Sequence, residues 1–200
     1  MKILVVTAHP LKNSLCTALT DHIVSRLKTF GHTIDIENLY ETRFDPVLSD
    51  RERERYYGDR YDATAVANEV RRLAAAEALV MVFPTWWFGF PAILKGWFDR
   101  VWVPSVAYDH ATDFGPIKPR LNGLRKAFVV TTLGAPWWVD YLLLWRPVKR
   151  TLRFALLGAC ARNCRLKFLS FYKCEQVNNE RISRIKHSIE SELRKCFGPV

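Results

Sequence analysis

The feature that most constrains how this chain folds is its regular alternation of short apolar runs with segments of helical periodicity. The run Lys2–Thr7 is rich in β-branched residues and lacks polar alternation, which is typical of a strand buried on both faces of a parallel sheet. We expect it to be the central strand. Thr33–Asn38 alternates polar and apolar residues and predicts an edge strand. Three further strands are predicted over residues 79–83, 126–132 and 166–171.

Helical periodicity separates these strands. Apolar residues recur at helical spacing over residues 14–30, where Gly31 follows as a C-terminal cap, and over residues 63–76. Pro91 suits the first turn of a third helix. Two more helices are predicted over residues 148–157 and 179–196. This alternation predicts an α/β fold of three layers, with a five-stranded parallel sheet covered by helices on both faces.

Length and composition favour a single unit. We expect one domain over residues 1–200, because 49% hydrophobic and 25% charged side chains are typical of a globular domain of this size. In an open α/β sheet the ligand lies outside the carboxyl ends of the strands, where the strand order reverses. We expect that crevice between the first and the third strand, so the loops that follow the strands form the candidate site.

The start of the chain and its cysteines favour a cytoplasmic protein. The apolar run after Lys2 reaches His9 and Pro10 before it attains the length of a signal peptide. The richest apolar stretch, residues 79–94, is interrupted by proline and glycine and is shorter than the roughly 20 residues that cross a bilayer. The five cysteines include no Cys-x-x-Cys pair and lack matching histidines. We therefore expect free thiols, no metal site and no membrane span.

The formal net charge of +10 is concentrated in the last part of the chain. From Tyr141 onward there are 13 Lys and Arg residues against 4 Asp and Glu residues. We interpret this as a basic helical surface; attraction of a phosphorylated cofactor or peripheral contact with an anionic membrane are alternatives that we do not expect. Nucleic-acid binding is not expected either, because no RNA-binding motif or DNA-reading element accompanies the charge. The charge-dense run over residues 50–55 is interpreted as a solvated helical face or loop.

The first of three unusual loops covers residues 9–14 and leads into the first helix. Free backbone N–H groups, the helix dipole and the Ser14 hydroxyl can all face an anion there. The glycines of a Walker loop are missing. The sequence leaves two functions open for this loop: binding of a phosphate, or simple capping of the helix by Asn13 or Ser14.

The other two loops are rich in aromatic residues. Residues 84–90 place four aromatic side chains between two prolines. Trp and Phe usually lie in the core, but four of them at one loop top are difficult to bury together, so we favour contact with a flat conjugated ligand. Residues 131–138 begin with small residues that let the backbone approach a ligand and end in Trp137 and Trp138. These two indoles fit either a ligand or a subunit contact.

Residues 87–101 read WFGFPAILKGWFDRV. This string resembles the NAD(P)H:quinone oxidoreductase (DT-diaphorase) branch of the flavodoxin-like flavoproteins. Further similar positions are Ala8-His9-Pro10 with Ser14, Ala107-Tyr108, and Thr131-Thr132 ahead of a glycine. The resemblance covers most of the chain up to Gly134.

The resemblance implies a flavodoxin-like fold, FAD as cofactor with FMN as the alternative, and a homodimer with active sites at its interface. It implies NAD(P)H as co-substrate and a quinone-like acceptor, with a two-electron, ping-pong transfer of hydride from the first to the second. The residues that it assigns to the phosphate and ribityl part of the flavin are His9, Ser14, Leu15 and Cys16. The residues that it assigns to the isoalloxazine ring are Pro84, Thr85, Trp86, Trp87, Phe88, Thr131, Thr132 and Gly134. Tyr108, with His110 beside it, would line the pocket for nicotinamide and quinone.

The chain departs from this family in three places. Cys16 stands where the family often has Asn, and Leu133 replaces a glycine in a segment that lacks the Tyr and His that usually follow. Loop N–H groups would then stabilise negative charge on the reduced flavin, and Tyr108 or His110 would donate a proton or hydrogen bond to the acceptor. An exposed loop histidine is the alternative for His110. The basic C-terminal part is less similar, and a regulatory flavodoxin-fold partner of a membrane transport protein is the alternative function.

Overall fold

The computed structural model describes residues 1–57, 61–111 and 115–198. The main sheet has five strands: β1 (Lys2–Thr7), β2 (Thr33–Asn38), β3 (Ala78–Pro84), β6 (Lys126–Thr132) and β7 (Arg165–Phe171). Between β3 and β6 the chain forms a separate antiparallel pair, β4 (Tyr108–Asp109) and β5 (Lys118–Pro119). All five are parallel, in the order β2-β1-β3-β6-β7. The order reverses between β1 and β3, so the crevice expected for a ligand lies between these two strands.

Helices cover both faces of the sheet. They are α1 (Leu15–Thr29), α2 (Asp50–Glu54), α3 (Ala67–Ala74), α4 (Ala92–Val101), α5 (Pro147–Arg150), α6 (Gly158–Cys160) and α7 (Asn179–Phe197). Two π-helical segments, Val139–Leu143 and Thr151–Leu157, precede α5 and join it to α6. Successive side chains of β1 point to opposite faces, with Ile3 packed in the core under α1 and α7 and Leu4 in the core under α3 and α4. The predicted three-layer fold is confirmed.

One strand assignment from the sequence is wrong. β3, and not β1, is the central strand, because the chain returns from β2 across β1 and then adds β6 and β7 beyond β3. β1 is nevertheless an interior strand, which accounts for its uniformly apolar sequence. Other differences concern bounds: the helix predicted over residues 63–76 is α helix only over Ala67–Ala74, and the one predicted over 148–157 extends in both directions.

In the edge strand β2 a polar residue is buried and an apolar one is exposed, the reverse of what its alternation suggests. Ile36 is 46% exposed, whereas Glu37 is 1% exposed. The Glu37 carboxylate accepts a hydrogen bond from Trp97 Nε1 at 2.9 Å and lies 3.5 Å from Arg72 Nη1. Burial raises the pKa of Glu37 to about 7, although the Arg72 charge opposes that shift. A polar residue in the core is thus held there by two partners from distant helices.

Helix α4 is fixed by the segment that crosses it. A Cβ atom on Gly96 would lie 2.2 Å from the carbonyl oxygen of Pro46, so only glycine lets the two backbones approach this closely. One turn later Arg100 donates to Glu52 Oε1 through two nitrogens, at 2.9 and 2.8 Å. Glu52 is therefore buried, and the predicted solvated face of residues 50–55 applies only to its neighbours.

No helix among the described residues is both long and apolar enough to cross a bilayer. All five cysteines are free thiols. Within the same described ranges, no three His, Cys, Asp or Glu side chains gather closely enough to hold a metal ion.

Candidate active site

A cavity of about 470 Å³ opens at the carboxyl ends of the strands. Three of the four segments that line it are the loops singled out from the sequence, which follow β1, β3 and β6. The lining residues are His9, Pro84, Thr85, Trp86, Trp87, Phe88, Thr132, Leu133, Gly134, Ala135, Cys174 and Glu175. Eight of the residues assigned by the family resemblance are thus brought together around one space.

The aromatic wall of the cavity is a tight hairpin over residues 86–89. Trp86 N donates to Gly89 O at 3.2 Å, and Gly89 N donates to Trp86 O at 2.9 Å. The two residues between them, Trp87 and Phe88, have φ of 50° and 56°, a left-handed conformation that costs an L-residue roughly 1 to 2 kcal/mol. The side chain of Trp87 is 100% exposed. The fold therefore holds strained aromatic residues at the rim, where a ligand can use them.

The floor of the cavity joins β3 to β6. Thr85 N donates to Thr132 O at 2.8 Å, and the hydroxyls of Thr85 and Thr131 are hydrogen bonded at 2.5 Å. Thr131 is buried and does not line the cavity itself, whereas Thr132 does. These bonds keep the aromatic hairpin at a set distance from the small residues opposite, which begin at Gly134.

The loop after β1 forms the end of the cavity nearest α1. Ser14 is the N-cap of α1, and its hydroxyl accepts a hydrogen bond from Thr17 N at 3.1 Å. The first turn of α1 contains no acidic residue. His9 lines both this cavity and a neighbouring one of about 300 Å³, in which Lys12 and Tyr40 also lie. An anion at the end of α1 would meet free N–H groups and a favourable helix dipole.

Leu15 and Cys16 lie behind the cavity and not on its surface. Leu15 packs against the core under α1. Cys16 is buried, with its Sγ 3.4 Å from Thr132 Oγ1, and burial raises the pKa of its thiol to about 11. The Cys16 side chain is therefore a neutral group that supports Thr132 from beneath.

The fourth segment was missed by the sequence reasoning. Cys174 and Glu175 follow β7 and complete the lining of the cavity. A Cβ atom on Gly134 would lie 2.3 Å from Glu175 Oε1, so the carboxylate occupies the space that the glycine leaves open. The signal for these two residues was available in the strand order, because β7 lies beside β6 and its carboxyl end meets the same edge of the sheet.

Tyr108 and His110 lie elsewhere on this chain. The Tyr108 hydroxyl is 2.7 Å from that of Tyr56, and His110 Nε2 donates to Tyr56 O at 3.1 Å. Tyr108 lines a second cavity of about 320 Å³, next to α4 and the helical segment before α6. Burial and the hydrogen bond between the two hydroxyls raise the pKa of Tyr108, so its hydroxyl stays protonated.

The family model of the flavodoxin-like fold matches residues 1–196 of this sequence. The chain belongs to the flavodoxin-like family. Its crevice between β1 and β3 is the position at which that topology places a ligand.

Several known proteins are similar to the chain. It is 32% identical over 149 residues to NAD(P)H dehydrogenase [quinone] 1 of Cavia porcellus, covering 66% of this chain and 52% of the relative. It is 32% identical over 133 residues to an uncharacterised NAD(P)H oxidoreductase of Escherichia coli (strain K12), covering 64% and 68%. A solved NAD(P)H:quinone oxidoreductase from Methanothermobacter marburgensis superposes with a TM-score of 0.80 at 25% identity, covering 100% and 98%.

The match covers only part of these relatives. The matched part spans about half the length of the mammalian quinone dehydrogenases. The match of the family model over residues 1–196 confirms, at the level of the family, the resemblance seen in residues 87–101.

Proposed function

We propose that this chain binds a flavin in the cavity at the carboxyl ends of β1, β3, β6 and β7 and uses it as an NAD(P)H:quinone oxidoreductase. The observation that carries the proposal is the slot between the strained hairpin at Trp87 and Phe88 and the small residues at Gly134 and Ala135. A slot with aromatic faces on one side and close backbone on the other suits a planar conjugated ring. The names of the relatives support the same reaction.

The residues present fit both parts of a flavin. The ring would lie against Trp86, Trp87 and Phe88, with Thr132 and Gly134 along its other edge. The phosphate would lie at the N-terminus of α1, whose first turn contains no acidic residue. The Glu175 carboxylate offers an acceptor for a ring N–H group.

We propose FAD as the cofactor, with FMN as the alternative. The neighbouring cavity of about 300 Å³ supports FAD, because it shares His9 with the main cavity and offers a cation at Lys12 and a ring at Tyr40 beyond the expected phosphate position. A flavin mononucleotide would leave this second space without a function in cofactor binding.

When bound, the flavin supplies the hydride chemistry, accepting from NAD(P)H and donating to a quinone-like molecule at the same face. The chain orients and shields it. The Thr85–Thr131 hydroxyl pair and the backbone bond from Thr85 to Thr132 hold the two walls of the cavity. NAD(P)H as reductant agrees with the cytoplasmic location that we propose.

We further propose a homodimer in which Tyr108 and His110 of one copy reach the cavity of the other. The face around Tyr108 supports this, since these two residues do not line the cavity of their own chain. The protonated Tyr108 hydroxyl would then release Tyr56 and donate its hydrogen bond to the quinone oxygen.

The cofactor is tested by denaturing the purified protein and measuring the mass and visible spectrum of the released molecule. We expect about one FAD per chain. Gly134→Leu should give a folded but colourless protein, because the side chain would intrude on the cavity, whereas Gly123→Leu, with open space around its Cβ, should retain the flavin. A colourless wild-type protein that takes up neither FAD nor FMN would exclude the proposed function.

The shared site is tested by mixing two inactive variants. Gly134→Leu lacks flavin but keeps Tyr108, and Tyr108→Phe keeps flavin but lacks the hydroxyl. Each alone should reduce quinone slowly, and the mixture should regain activity as mixed dimers form. Failure to regain activity in a mixture that contains mixed dimers would show that each site uses only its own chain.

A further inference from the structure

A second group of exposed aromatic and aliphatic residues lies outside the candidate active site. We call it the apolar cap: Trp137, Trp138, Tyr141, Leu142, Leu143 and Trp145. Leu142 and Trp145 are 66% and 68% exposed. Large apolar side chains exposed together on a folded domain mark a surface that binds a membrane or another molecule.

The cap is held outward by a buried anchor. Asp140 is buried and accepts a hydrogen bond from the Tyr172 hydroxyl at 2.7 Å, while its carbonyl accepts one from Arg146 N, also at 2.7 Å. Trp145 and Arg146 both have positive φ, of 58° and 55°, which turns the chain sharply after the cap. The exposure of these side chains is therefore built into the backbone and is not the result of a frayed loop.

The surface next to the cap is basic. Lys149, Arg150 and Arg153 follow it on the adjoining helical segment, and Arg150 and Arg153 are exposed. Between residues 136 and 160 the only acidic residue in the sequence is Asp140, which is buried and hydrogen bonded. Apolar residues that include three indoles, followed by three cations with no exposed acid in the same stretch of sequence, form the combination found in segments that bind the interface of an anionic bilayer.

We propose that the cap and these three cations dock the protein on the surface of an anionic lipid bilayer. Tryptophan, tyrosine and leucine would enter the boundary between headgroups and acyl chains, and Lys149, Arg150 and Arg153 would meet lipid phosphates. A second copy is a poorer occupant, because a symmetric contact centred on the cap would bring the same three cations of both copies together. The face around Tyr108, where we place the second copy, contributes no residue to the cap.

Docking in this way places the active site at the membrane. Gly134 and Ala135 line the cavity, and the chain runs from Ala135 through Pro136 directly into the cap at Trp137. The acceptor would then be a quinone dissolved in the bilayer, a step that rests on the proposed function. The docking itself does not depend on that function, since it uses no residue of the cavity.

The docking is tested by co-sedimentation of the full chain with vesicles. Vesicles of phosphatidylcholine alone are compared with vesicles that also contain about one third phosphatidylglycerol. We expect binding to the anionic vesicles at least tenfold tighter than to the neutral ones, and weaker as salt is added.

Two sets of variants separate the apolar and the charged contributions. Leu142→Ser/Leu143→Ser/Trp145→Ser should lower binding to anionic vesicles at least tenfold. Lys149→Gln/Arg150→Gln/Arg153→Gln should abolish the preference for anionic lipid. The matched control, Lys28→Gln/Arg184→Gln/Arg194→Gln, removes the same charge from exposed positions on α1 and α7 and should retain most of the binding.

Three results would overturn the proposal. The first is wild-type protein that stays in the supernatant with both kinds of vesicle. The second is a cap variant that binds as the wild type does. The third is a cap variant that changes from dimer to monomer, measured by sedimentation equilibrium, which would make the cap an interface between copies. Because vesicle binding is measured without substrate, and flavin content separately, failure of the docking and failure of the proposed function are distinguishable.

Discussion

Two aromatic segments of this molecule have similar composition and opposite environments. Helix α4 and the residue after it contain Trp97, Phe98 and Trp102, all buried. The apolar cap contains Trp137, Trp138 and Trp145, all exposed. The α4 residues are covered because Gly96 admits the Pro46 backbone and Arg100 pairs with Glu52. Nothing in the described part of the chain covers the cap, so its aromatic residues are available for another function.

The largest expected contrast comes from removing one indole in each segment. Trp97→Ala should lower the free energy of unfolding by about 3 to 5 kcal/mol, because it empties a fully buried site and leaves Glu37 without its donor. Trp145→Ala, at an exposed site, should change it by less than about 0.5 kcal/mol. Urea unfolding at pH 7 measures both. Equal losses would contradict the assignment of one segment to the core and the other to the surface.

The carboxylate beneath Trp97 gives a pH-dependent test of the buried side. Because the pKa of Glu37 is raised from 4.5 to about 7 in the folded state, the folded chain keeps this proton between those values while the unfolded chain loses it. Glu37 therefore lowers the free energy of unfolding by an amount that grows as pH rises from 4.5 to about 7 and is constant above pH 7. Glu37→Gln keeps the acceptor for Trp97 but has no proton to lose. Its free energy of unfolding, relative to that of the wild type, should rise by on the order of 2 to 3 kcal/mol from pH 5 to pH 8.

The control for this measurement is Glu41→Gln at an exposed position. Its stability difference from wild type should stay within about 0.5 kcal/mol over the same pH range. If the Glu37→Gln difference is the same at pH 5 and pH 8, the carboxylate is not held protonated by burial.

The close approach over α4 is tested by adding one methyl group. Gly96→Ala should destabilise the fold by about 1 to 3 kcal/mol or more, since its Cβ would overlap the Pro46 backbone. Gly123→Ala has open space around its Cβ and should be neutral or slightly stabilising. Thermal unfolding of the two variants, compared directly, sharpens the contrast between a covered and an uncovered position. A neutral Gly96→Ala would mean that the segment before α2 does not lie against α4.

The smallest expected effect concerns exposed tryptophans with a left-handed backbone. Asn tolerates that conformation better, so Trp87→Asn and Trp145→Asn should each stabilise the folded chain by about 1 kcal/mol. Only Trp87 lines the cavity, so only Trp87→Asn should weaken flavin binding, by roughly tenfold. Titration of the flavin-free variants with FAD measures this. Equal affinities would remove Trp87 from the proposed ring site.

Much of the fold and part of the site were predictable from particular residues. The β-branched runs Lys2–Thr7 and Lys126–Thr132 have the bounds that their composition indicates, because a strand buried on both faces is apolar inside and polar residues mark its ends. The loops after these strands line one cavity because parallel strands end at one edge. Glu175 was not foreseen: the strand order brings its loop to the cavity edge, but its contact with Gly134 depends on the tertiary structure.

The sequence by itself determined the class of fold, the approximate bounds of its strands and helices, and the three loops at the ligand edge, because these follow from local periodicity and the geometry of parallel sheets. Only the tertiary structure decided that Glu37 is buried while Ile36 is exposed, that Tyr108 lies away from the cavity of its own chain, and that one aromatic segment is covered and the other is not. The physical reason is that burial depends on what packs opposite a residue. In this protein the opposing groups, such as Arg72 for Glu37 and Pro46 for Gly96, come from distant parts of the chain.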